Sequence, residues 1–433
     1  MSGMSNHSFI KEVIKEKPLD KRKLMIKIIM LIVAAVLFGV IAAVVFAYTR
    51  PAVEKSIETR KGPNSVNIAG GEEDEGVTPT PSRMPTPTPI PEVTPQEELE
   101  EASVEAPPEP AELGLPEYKK LYKDMKDISQ NAEKSIVTVI GIKSEIDYFR
   151  DTYDNRGQRS GLIVANNGRE LLVLTEYSVI DGVDKIQIAF PNGTTADAQY
   201  QKHDENSGLT IVKVLLEEVD AATMDSIITA PLGNSNKLTQ GEPVIALGSP
   251  TGSSESIAFG STTSVINKIA VWDTAYSLIT TDILGVESGS GVLLNLDGEI
   301  VGIMAQNYSN ENNTVTALAI SPIRNLIQTL SNNGALYHLG IKGKEVTEDI
   351  SNDTGIPQGI WIETSKQDSP AMRAGLMGGD VIIKLNDEEV RTIAEYNKEL
   401  NACQVGTMVQ VIVMRNGADG YEEIPFDVMV EAL

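Results

Sequence analysis

The feature that most constrains this chain is an apolar run near its start, IIMLIVAAVLFGVIAAVVFAY, from Ile28 to Tyr48. It has 21 residues and no charge. As a helix it would extend about 31 Å, which matches the hydrocarbon thickness of a bilayer. We therefore expect a transmembrane helix over 28–48. The alternative is a cleaved signal peptide, but such peptides have a shorter apolar core and a small-residue cleavage site, and no A-x-A site follows this run.

The charges beside this run predict its orientation. Residues 1–27 carry seven basic and three acidic side chains. The basic side of a membrane helix normally stays in the cytoplasm. We expect a cytoplasmic segment over 1–27, a single-pass anchor in the cell membrane, and everything after it on the extracytoplasmic side. Four basic residues on the outer side weaken this asymmetry: Arg50, Lys55, Arg60 and Lys61.

Residues 49–116 have the composition of a linker. They are rich in Pro, Thr and Glu, and residues 50–116 carry 14 acidic and five basic side chains. Such a segment has too little apolar surface to offset its ordering entropy, while proline and like charges extend it. The sequence predicts a disordered spacer that holds the remainder off the membrane. A docking segment or a glycosylated stalk is the alternative.

The bulk composition excludes several function classes. The net charge of −25 disfavours nucleic acid as a partner, because both surfaces would be negative. The single cysteine, Cys403, allows neither an intramolecular disulfide nor a cysteine metal cluster. The Gly/Ser-rich stretch GSPTGSSESIAFGSTTS lacks the spacing of a phosphate-binding loop. We expect no metal and no cofactor.

Beyond residue 117 the composition becomes globular. Residues 117–332 contain short apolar runs, such as SIVTVIGI, ELLVLTEYSVI and EPVIALGSP, separated by turn residues. This spacing is typical of an all-β barrel or sandwich. Residues 333–433 mix strands with a helix, TIAEYNKELNAC, in which Ile393, Tyr396, Leu400 and Cys403 form one stripe. We therefore expect Cys403 to be a small core residue rather than a reactive thiol.

Several stretches together resemble a known family. LGNSNKLTQGEPVIALGSPTG, TTDILGVESGSGVLLNLDGEIVGI and TALAISPIRNLIQTL, in this order, resemble the HtrA/DegP family of trypsin-like serine proteases. YHLGIKGKEVTEDI and SPAMRAGLMGGDVIIKLNDEEV resemble the PDZ domain that this family carries. The resemblance implies a mainly β fold: a trypsin-like double β-barrel over 117–332 and an α+β PDZ domain over 333–433, preceded by one transmembrane helix and a disordered linker. HtrA-type barrels commonly form trimers, so the resemblance also implies a homotrimer.

The resemblance places a catalytic serine at Ser290. This residue lies eight positions after Asp282, as in the family pattern T-D-x-x-x-x-x-G-N-S-G-G, and one residue is deleted beyond it. Ser288 stands where the family has a glycine that supplies an oxyanion N–H. In an alternative register Ser288 would itself be the nucleophile.

The other two triad positions have lost their side chains. In the alignment that the resemblance implies, Ser178 stands at the histidine position and Gly208 at the aspartate position. A serine needs an imidazole to take its proton and a carboxylate to orient that imidazole. Loss of one triad member typically costs about 10⁴–10⁶-fold in rate. We therefore expect that Ser290 attacks nothing.

The chain has three histidines, and one of them lies in the barrel region. His7 lies on the predicted cytoplasmic side, His338 opens the PDZ region, and His203, five residues before Gly208, is expected to be a surface residue. The leading interpretation is a degenerate, peptide-binding member of the family. An active endopeptidase with a non-standard site is the first alternative, and a purely structural envelope protein is the second.

The PDZ resemblance implies capture of peptide or protein C-termini. Main-chain N–H groups of such a domain bind a terminal carboxylate, and a groove takes the preceding residues. The corresponding loop here contains Leu339, Gly340 and Ile341, where glycine permits close approach of the backbone. Asn397 and Leu400 are expected to face the groove from the neighbouring helix.

Overall fold

The computed structural model of the chain describes Met30 and residues 64–68, 114–143, 157–309 and 313–433. The predicted cytoplasmic segment, and all but Met30 of the predicted transmembrane run, lie outside these residues. So does most of the predicted linker. Within the described ranges, no helix combines the length and the apolar character needed to cross a membrane.

The first closed barrel has the strand order β1-β2-β3-β6-β5-β4, with all neighbours antiparallel. Its strands are β1 (Ile136–Ile142), β2 (Gln158–Asn166), β3 (Glu170–Glu176), β4 (Lys185–Ala189), β5 (Thr195–His203) and β6 (Leu209–Leu215). Alternation directs one face of each strand inward. In β1, for example, Val137 and Val139 are buried while Thr138 and Ile140 are less so, as expected for a half-buried strand.

The second closed barrel has the order β10-β11-β12-β9-β8-β7. Its strands are β7 (Pro243–Ser249), β8 (Ser256–Val271), β9 (Thr274–Leu284), β10 (Ser290–Leu294), β11 (Ile300–Met304) and β12 (Thr314–Ala319). β8 and β9 form a long hairpin that continues to a two-residue turn, Trp272 and Asp273. Two closed barrels confirm the predicted mainly β architecture of this region.

A shared core joins the two barrels. Apolar side chains of both barrels pack together there with α1 (Leu115–Glu133) and α3 (Ile320–Ser331). In α3, Ile320, Ile323, Ile327 and Leu330 recur at steps of three and four residues and are all buried, which is the pattern of a one-sided helix. A short helix, α2 (Ala221–Ser226), lies between β6 and β7 along the chain.

The C-terminal region forms a separate core around a six-stranded sheet. Its elements are β13 (Tyr337–His338), β14 (Ile341–Val346), α4 (Glu348–Thr354), β15 (Gly359–Ser365), α5 (Pro370–Ala374), β16 (Val381–Leu385), β17 (Glu388–Glu389), α6 (Ile393–Asn401), β18 (Met408–Gly417), β19 (Gly420–Met429) and β20 (Glu431–Ala432). Cys403 packs against this core, and its Sγ donates to the carbonyl of Glu399.

One short stretch of the predicted linker is ordered. The N–H of Val66 donates to Oδ1 of Asn332, whose Nδ2 donates back to the Val66 carbonyl. The N–H of Ile68 donates to Oε1 of Gln328, and both apolar side chains pack on the inter-barrel core. The predicted spacer over 49–116 therefore contacts the folded region at Val66 and Ile68, and its last two residues belong to α1, which begins at Leu115.

Candidate functional site

Ser290 lies at the junction of the two barrels. It is the first residue of β10, opposite Ser249 of β7, and only 2% of it is exposed. Its Oγ accepts a hydrogen bond from the backbone N–H of Ser160 at 2.9 Å and lies 3.4 Å from the Ser160 Oγ. Gly291 follows at φ +138°, where a Cβ would overlap the Leu247 carbonyl. The glycine thus keeps β10 against β7 and turns the serine hydroxyl toward the first barrel.

Ser178 is exposed in the 3-10 turn that follows β3. Its Oγ donates to Oε2 of Glu176 at 3.3 Å, and the same oxygen accepts from Nε of Arg159 at 3.2 Å. Burial raises the pKa of the Glu176 carboxyl, while Arg159 and Ser178 act against that shift. The predicted histidine position therefore belongs to a small polar cluster built around a carboxylate.

Gly208 lies beside this turn. Its carbonyl accepts from the N–H of Tyr177 at 2.7 Å, so the fold brings the two predicted triad positions, Ser178 and Gly208, into adjacent loops. Gly208 has φ +70°, and a Cβ there would meet no atom within 4 Å. This conformation suits glycine, and the space beside it is open.

The barrel histidine is engaged with aromatic residues. The His203 ring stacks on Tyr177, with the ring centroids 3.9 Å apart and the planes 10° from parallel. Its Nδ1 lies 2.8 Å from the hydroxyl of Tyr200. Among the described residues, the hydrogen bonds of the Ser290 hydroxyl involve Ser160, and none joins it to a basic side chain.

A cavity of about 310 Å³ opens next to this junction. Ser160 and Ser288 line it together with charged side chains of both signs: Glu133, Arg159 and Glu255. Burial, followed by the negative charge of Glu255, raises the pKa of the Glu133 carboxyl. The volume lies at the lower end of the range for ligand pockets and is enough for one or two side chains of a peptide.

The loop between β13 and β14 binds a carboxylate that belongs to the chain itself. The N–H groups of Leu339, Gly340 and Ile341 donate to the side-chain oxygens of Asp273, at 3.1, 2.8 and 3.1 Å for their shortest contacts. In return the N–H of Asp273 donates to the Ile341 carbonyl at 2.6 Å. Gly340 has φ +86°, and a Cβ there would overlap Ser369. Three consecutive amides that converge on one carboxylate form an anion-binding concavity.

Two side chains complete the surroundings of this carboxylate. His338 Nδ1 lies 2.7 Å from Oδ2 of Asp273, and the Tyr396 hydroxyl donates to Oδ1 at 2.8 Å. Burial, and next the negative charge of Asp273, raises the pKa of the Tyr396 hydroxyl well above its ordinary value. The phenol therefore stays protonated and remains a hydrogen-bond donor.

The two helix residues predicted to face the groove lie in different surroundings. Asn397 Nδ2 donates to Oγ1 of Thr274, the first residue of β9, at 2.7 Å. Leu400 is 1% exposed and belongs to the core of the domain, as do Leu339 and Ile341. The structure thus brings Asn397 against the β8–β9 hairpin and places Leu400 in the core of the domain.

Comparison with known proteins relates both regions to described families. The model of the trypsin-like peptidase domain matches residues 159–303, and that of the PDZ domain matches residues 338–424. A probable periplasmic serine endoprotease DegP-like of Halomonas elongata is 29% identical over 272 residues, which cover 61% of this chain and 55% of that protein. The chain contains a trypsin-like peptidase domain and a PDZ domain, and it is similar to proteases of the HtrA family.

Two further HtrA proteins give a consistent result. The serine protease Do-like HtrA of Lactococcus lactis subsp. cremoris is 25% identical over 313 residues, covering 66% of this chain and 75% of the relative. The solved HtrA-type protease AlgW is 21% identical over 71% of this chain: its decapeptide complex has a TM-score of 0.51 and 98% coverage of that structure, its tripeptide complex 0.52 and 97%. These structures confirm the fold. The chain spans just over half the length of the Halomonas relative.

Two residues around the carboxylate loop, Asp273 and His338, were not predicted from the sequence to contact each other. Asp273 and His338 are 65 positions apart, and neither residue forms a recognisable motif with the other. The only local signal is an aspartate in a tight hairpin turn, AVWDTAYS, where Asp273 adopts φ +59°. Aspartate tolerates this left-handed conformation better than most residues, so the turn was predictable while its partner was not.

The loop that precedes Gly208 contacts the same hairpin. Buried Asp204 accepts from the N–H and Oγ of Ser207 and from the hydroxyl of Tyr276 in β9, all within 2.9 Å. Nδ2 of Asn206 donates to the Trp272 carbonyl at 2.9 Å. The hairpin turn is thus held between the loop over 204–208 and the PDZ domain.

Proposed function

We propose that this chain is an extracytoplasmic HtrA-family pseudoprotease that captures the C-termini of peptides or proteins through its PDZ domain. The proposal that the chain is a pseudoprotease rests on the Ser290 hydroxyl, which accepts a hydrogen bond from the Ser160 N–H. The predicted general-base and orienting positions hold Ser178 and Gly208, neither of which can take or direct a proton at neutral pH.

The peptide-binding half rests on the amide array of residues 339–341. Three N–H groups around a left-handed glycine suit a free carboxylate, and chain ends bound by strand addition present such a group. The titles of the AlgW structures name a decapeptide and a tripeptide as their ligands. We extend peptide binding to this chain on the geometry of its own loop, where Leu339, Gly340 and Ile341 already hold a carboxylate.

The test of the first half is labelling of the purified full chain with a fluorophosphonate, together with casein turnover. The proposal expects neither, in the wild type or in Ser290→Ala. Labelling and turnover that both disappear in Ser290→Ala would instead support the alternative, an active endopeptidase with a non-standard site. The names of the relatives, the open space beside Gly208 and the neighbouring cavity favour that alternative enough to require the test.

The membrane anchor over 28–48 and the extracytoplasmic location belong to the same proposal. The charge asymmetry of residues 1–27 supports the orientation, and relatives named as periplasmic agree with it. Protease digestion of intact and of permeabilised cells tests it. The globular part should be cleaved from the outer side, and the chain should stay with the membrane fraction in carbonate.

A homotrimer is proposed for the assembly. On α1, three aromatic or aliphatic residues, Tyr118, Leu121 and Tyr122, are more than two-fifths exposed in a single chain, and the Tyr118 and Tyr122 rings lie 4.8 Å apart. Burial of such a patch between subunits would stabilise an oligomer. Light scattering after size-exclusion chromatography should give three times the chain mass, and Leu121→Asp with Tyr122→Asp should give the monomer.

A further inference from the structure

The carboxylate loop of the PDZ domain is occupied by the barrel. Asp273 sits at the tip of the β8–β9 hairpin, is 6% exposed, and receives hydrogen bonds from all three amides of the loop. Its own N–H donates to the carbonyl of Ile341, the kind of main-chain bond that the last residue of an added strand would make. The tip therefore reproduces, with a side-chain carboxylate, the contacts expected of a chain end.

We propose that Asp273 is a built-in ligand of the PDZ carboxylate site, and that a peptide C-terminus binds only by displacing the hairpin tip. The inference rests on the proposed peptide-binding function, because it states how that site is controlled. A second carboxylate has no place beside the first. The amides of Leu339, Gly340 and Ile341 are all used, and a second buried negative charge would meet the first with no additional cation.

Contacts on both sides hold the tip in place. On the PDZ side, Asn397 donates to Thr274, and Lys268 lies 3.6 Å from Glu345 in an ion pair. On the barrel side, Asn206 donates to Trp272, and Tyr276 donates to Asp204. An aspartate that merely capped a turn would need one or two local amides, whereas the bonds of Asp273 reach three elements of another domain.

The same contacts connect the PDZ site to the inter-barrel junction. Asn206 and Asp204 belong to the loop that ends at Gly208, whose carbonyl accepts from Tyr177 beside Ser178. Withdrawal of the tip would remove the Asn206–Trp272 bond and free this loop. A chain end at the PDZ domain would thus alter the surroundings of Ser178, which lie in the other domain.

The test compares four full-length chains: wild type, Asp273→Asn, Asp273→Gly and the control Asp297→Asn. Asp273→Asn keeps the size of the side chain, and Asp273→Gly removes the carboxylate at φ +59°, where glycine is at ease. Asp297 is exposed in the turn between β10 and β11. The probe is a dansyl-labelled octapeptide that ends in valine, and the same peptide with an amidated terminus is its control. Hydrogen exchange of the amides of residues 339–341 is followed without peptide.

We expect both Asp273 variants to bind the probe at least about tenfold more tightly than the wild type and Asp297→Asn do. The reason is that the state with an unoccupied carboxylate loop, which alone binds the probe, is no longer a minor population. The amides of residues 339–341 should be protected in the wild type and exchange faster in both variants. The amidated peptide should bind to none of the four chains.

Each contrary result has its own meaning. Equal probe affinity in all four chains would overturn the inference and leave peptide capture standing. Unchanged protection of the three amides in both Asp273 variants would overturn it as well, because Asp273 would not be their partner. Loss of protection without probe binding in any chain would keep Asp273 as the ligand of the loop and end the proposal of peptide capture.

Discussion

The hydroxyl oxygen of Ser290 accepts a hydrogen bond from the backbone N–H of Ser160 at 2.9 Å, across the junction of the two barrels. The two residues are 130 positions apart, so this bond joins β10 of the second barrel to β2 of the first. A nucleophilic serine instead needs a base to accept its proton. Ser290 in this arrangement holds two barrels together.

Replacement of Ser290 by alanine should therefore reduce the stability of the fold, while casein turnover stays absent as in the wild type. Loss of one such hydrogen bond typically costs about 1 kcal/mol, and the free energy of unfolding from urea titrations should fall by that amount. Ser288→Ala is the matched control, since Ser288 is exposed and should leave stability unchanged. A Ser290→Ala chain as stable as the wild type would contradict the bridging role of the hydroxyl.

Restoring the two missing triad side chains should not restore proteolysis. In the double variant Ser178→His with Gly208→Asp, both new groups enter adjacent loops, but we expect Ser290 to stay buried, as it is in the native chain, and bonded to Ser160. Its proton is then out of reach of the new imidazole. Casein turnover by the double variant should equal that of the triple variant that also carries Ser290→Ala. Turnover that depends on Ser290 would show that the junction opens to substrate.

Glu176 should make stability depend on pH in a direction opposite to that of most carboxylates. Burial raises the pKa of Glu176 in the folded chain, so the folded state binds more protons than the unfolded state between the two pKa values. Stability from this group is present at low pH and is lost as the pH rises from about 4.3, the ordinary pKa of glutamate, through the raised value.

The variant Glu176→Gln isolates this contribution. The melting temperature of the wild type, minus that of the variant, should decrease as the pH rises through that window. Exposed Glu388 provides the control, because Glu388→Gln should show no such trend. A difference that grows with pH would mean that the ion pair with Arg159 outweighs burial.

The PDZ domain should depend strongly on Asp380. Its side chain is 1% exposed and receives two hydrogen bonds from the Arg415 guanidinium, at 2.6 and 2.7 Å, and one from the Met377 N–H at 3.0 Å. Asp380→Ala leaves the guanidinium with only the Gly375 carbonyl as an acceptor and removes the side-chain acceptor of the Met377 N–H. Removal of one partner of a buried pair costs about 3–5 kcal/mol, a large share of the usual 5–15 kcal/mol of a domain.

Limited proteolysis with thermolysin measures this loss, since cleavage within residues 333–433 should accelerate while the barrels remain intact. Asp419→Ala, in the exposed turn between β18 and β19, is the matched control. Equal cleavage rates in the two variants would mean that the ion pair contributes little.

Much of the fold follows from local pattern. The run GVLLNLDGEIVGIM predicts two apolar segments around a turn, and the structure has β10 and β11 there. The stripe over Ile393, Tyr396 and Leu400 predicts the inner face of α6, and two of these three residues are fully buried. Alternation and helical periodicity report which side of an element faces a core, and that information is local.

The site is less accessible to such reasoning. The resemblance to the HtrA family indicates Ser178, Gly208 and Ser290, and the fold does bring the loops of the first two together through Tyr177. Nothing local indicates that Ser160 would bind the serine oxygen or that Asp273 would enter the PDZ loop. Both contacts are made between separate domains or barrels, and their partners are chosen by the way these units dock. The ordered residues 64–68 were missed for the same reason.

Asp273 and the PDZ domain belong to the same polypeptide, so Asp273 sets a minimum concentration that a competing peptide must reach. An intramolecular occupant has an effective concentration on the order of millimolar, and dilution does not lower it. The concentration of peptide C-termini needed to displace Asp273 is therefore fixed, and it does not change with the number of copies of this protein in a cell. The fraction of PDZ sites that bind a peptide would then depend on the concentration of free C-termini and not on the concentration of the protein.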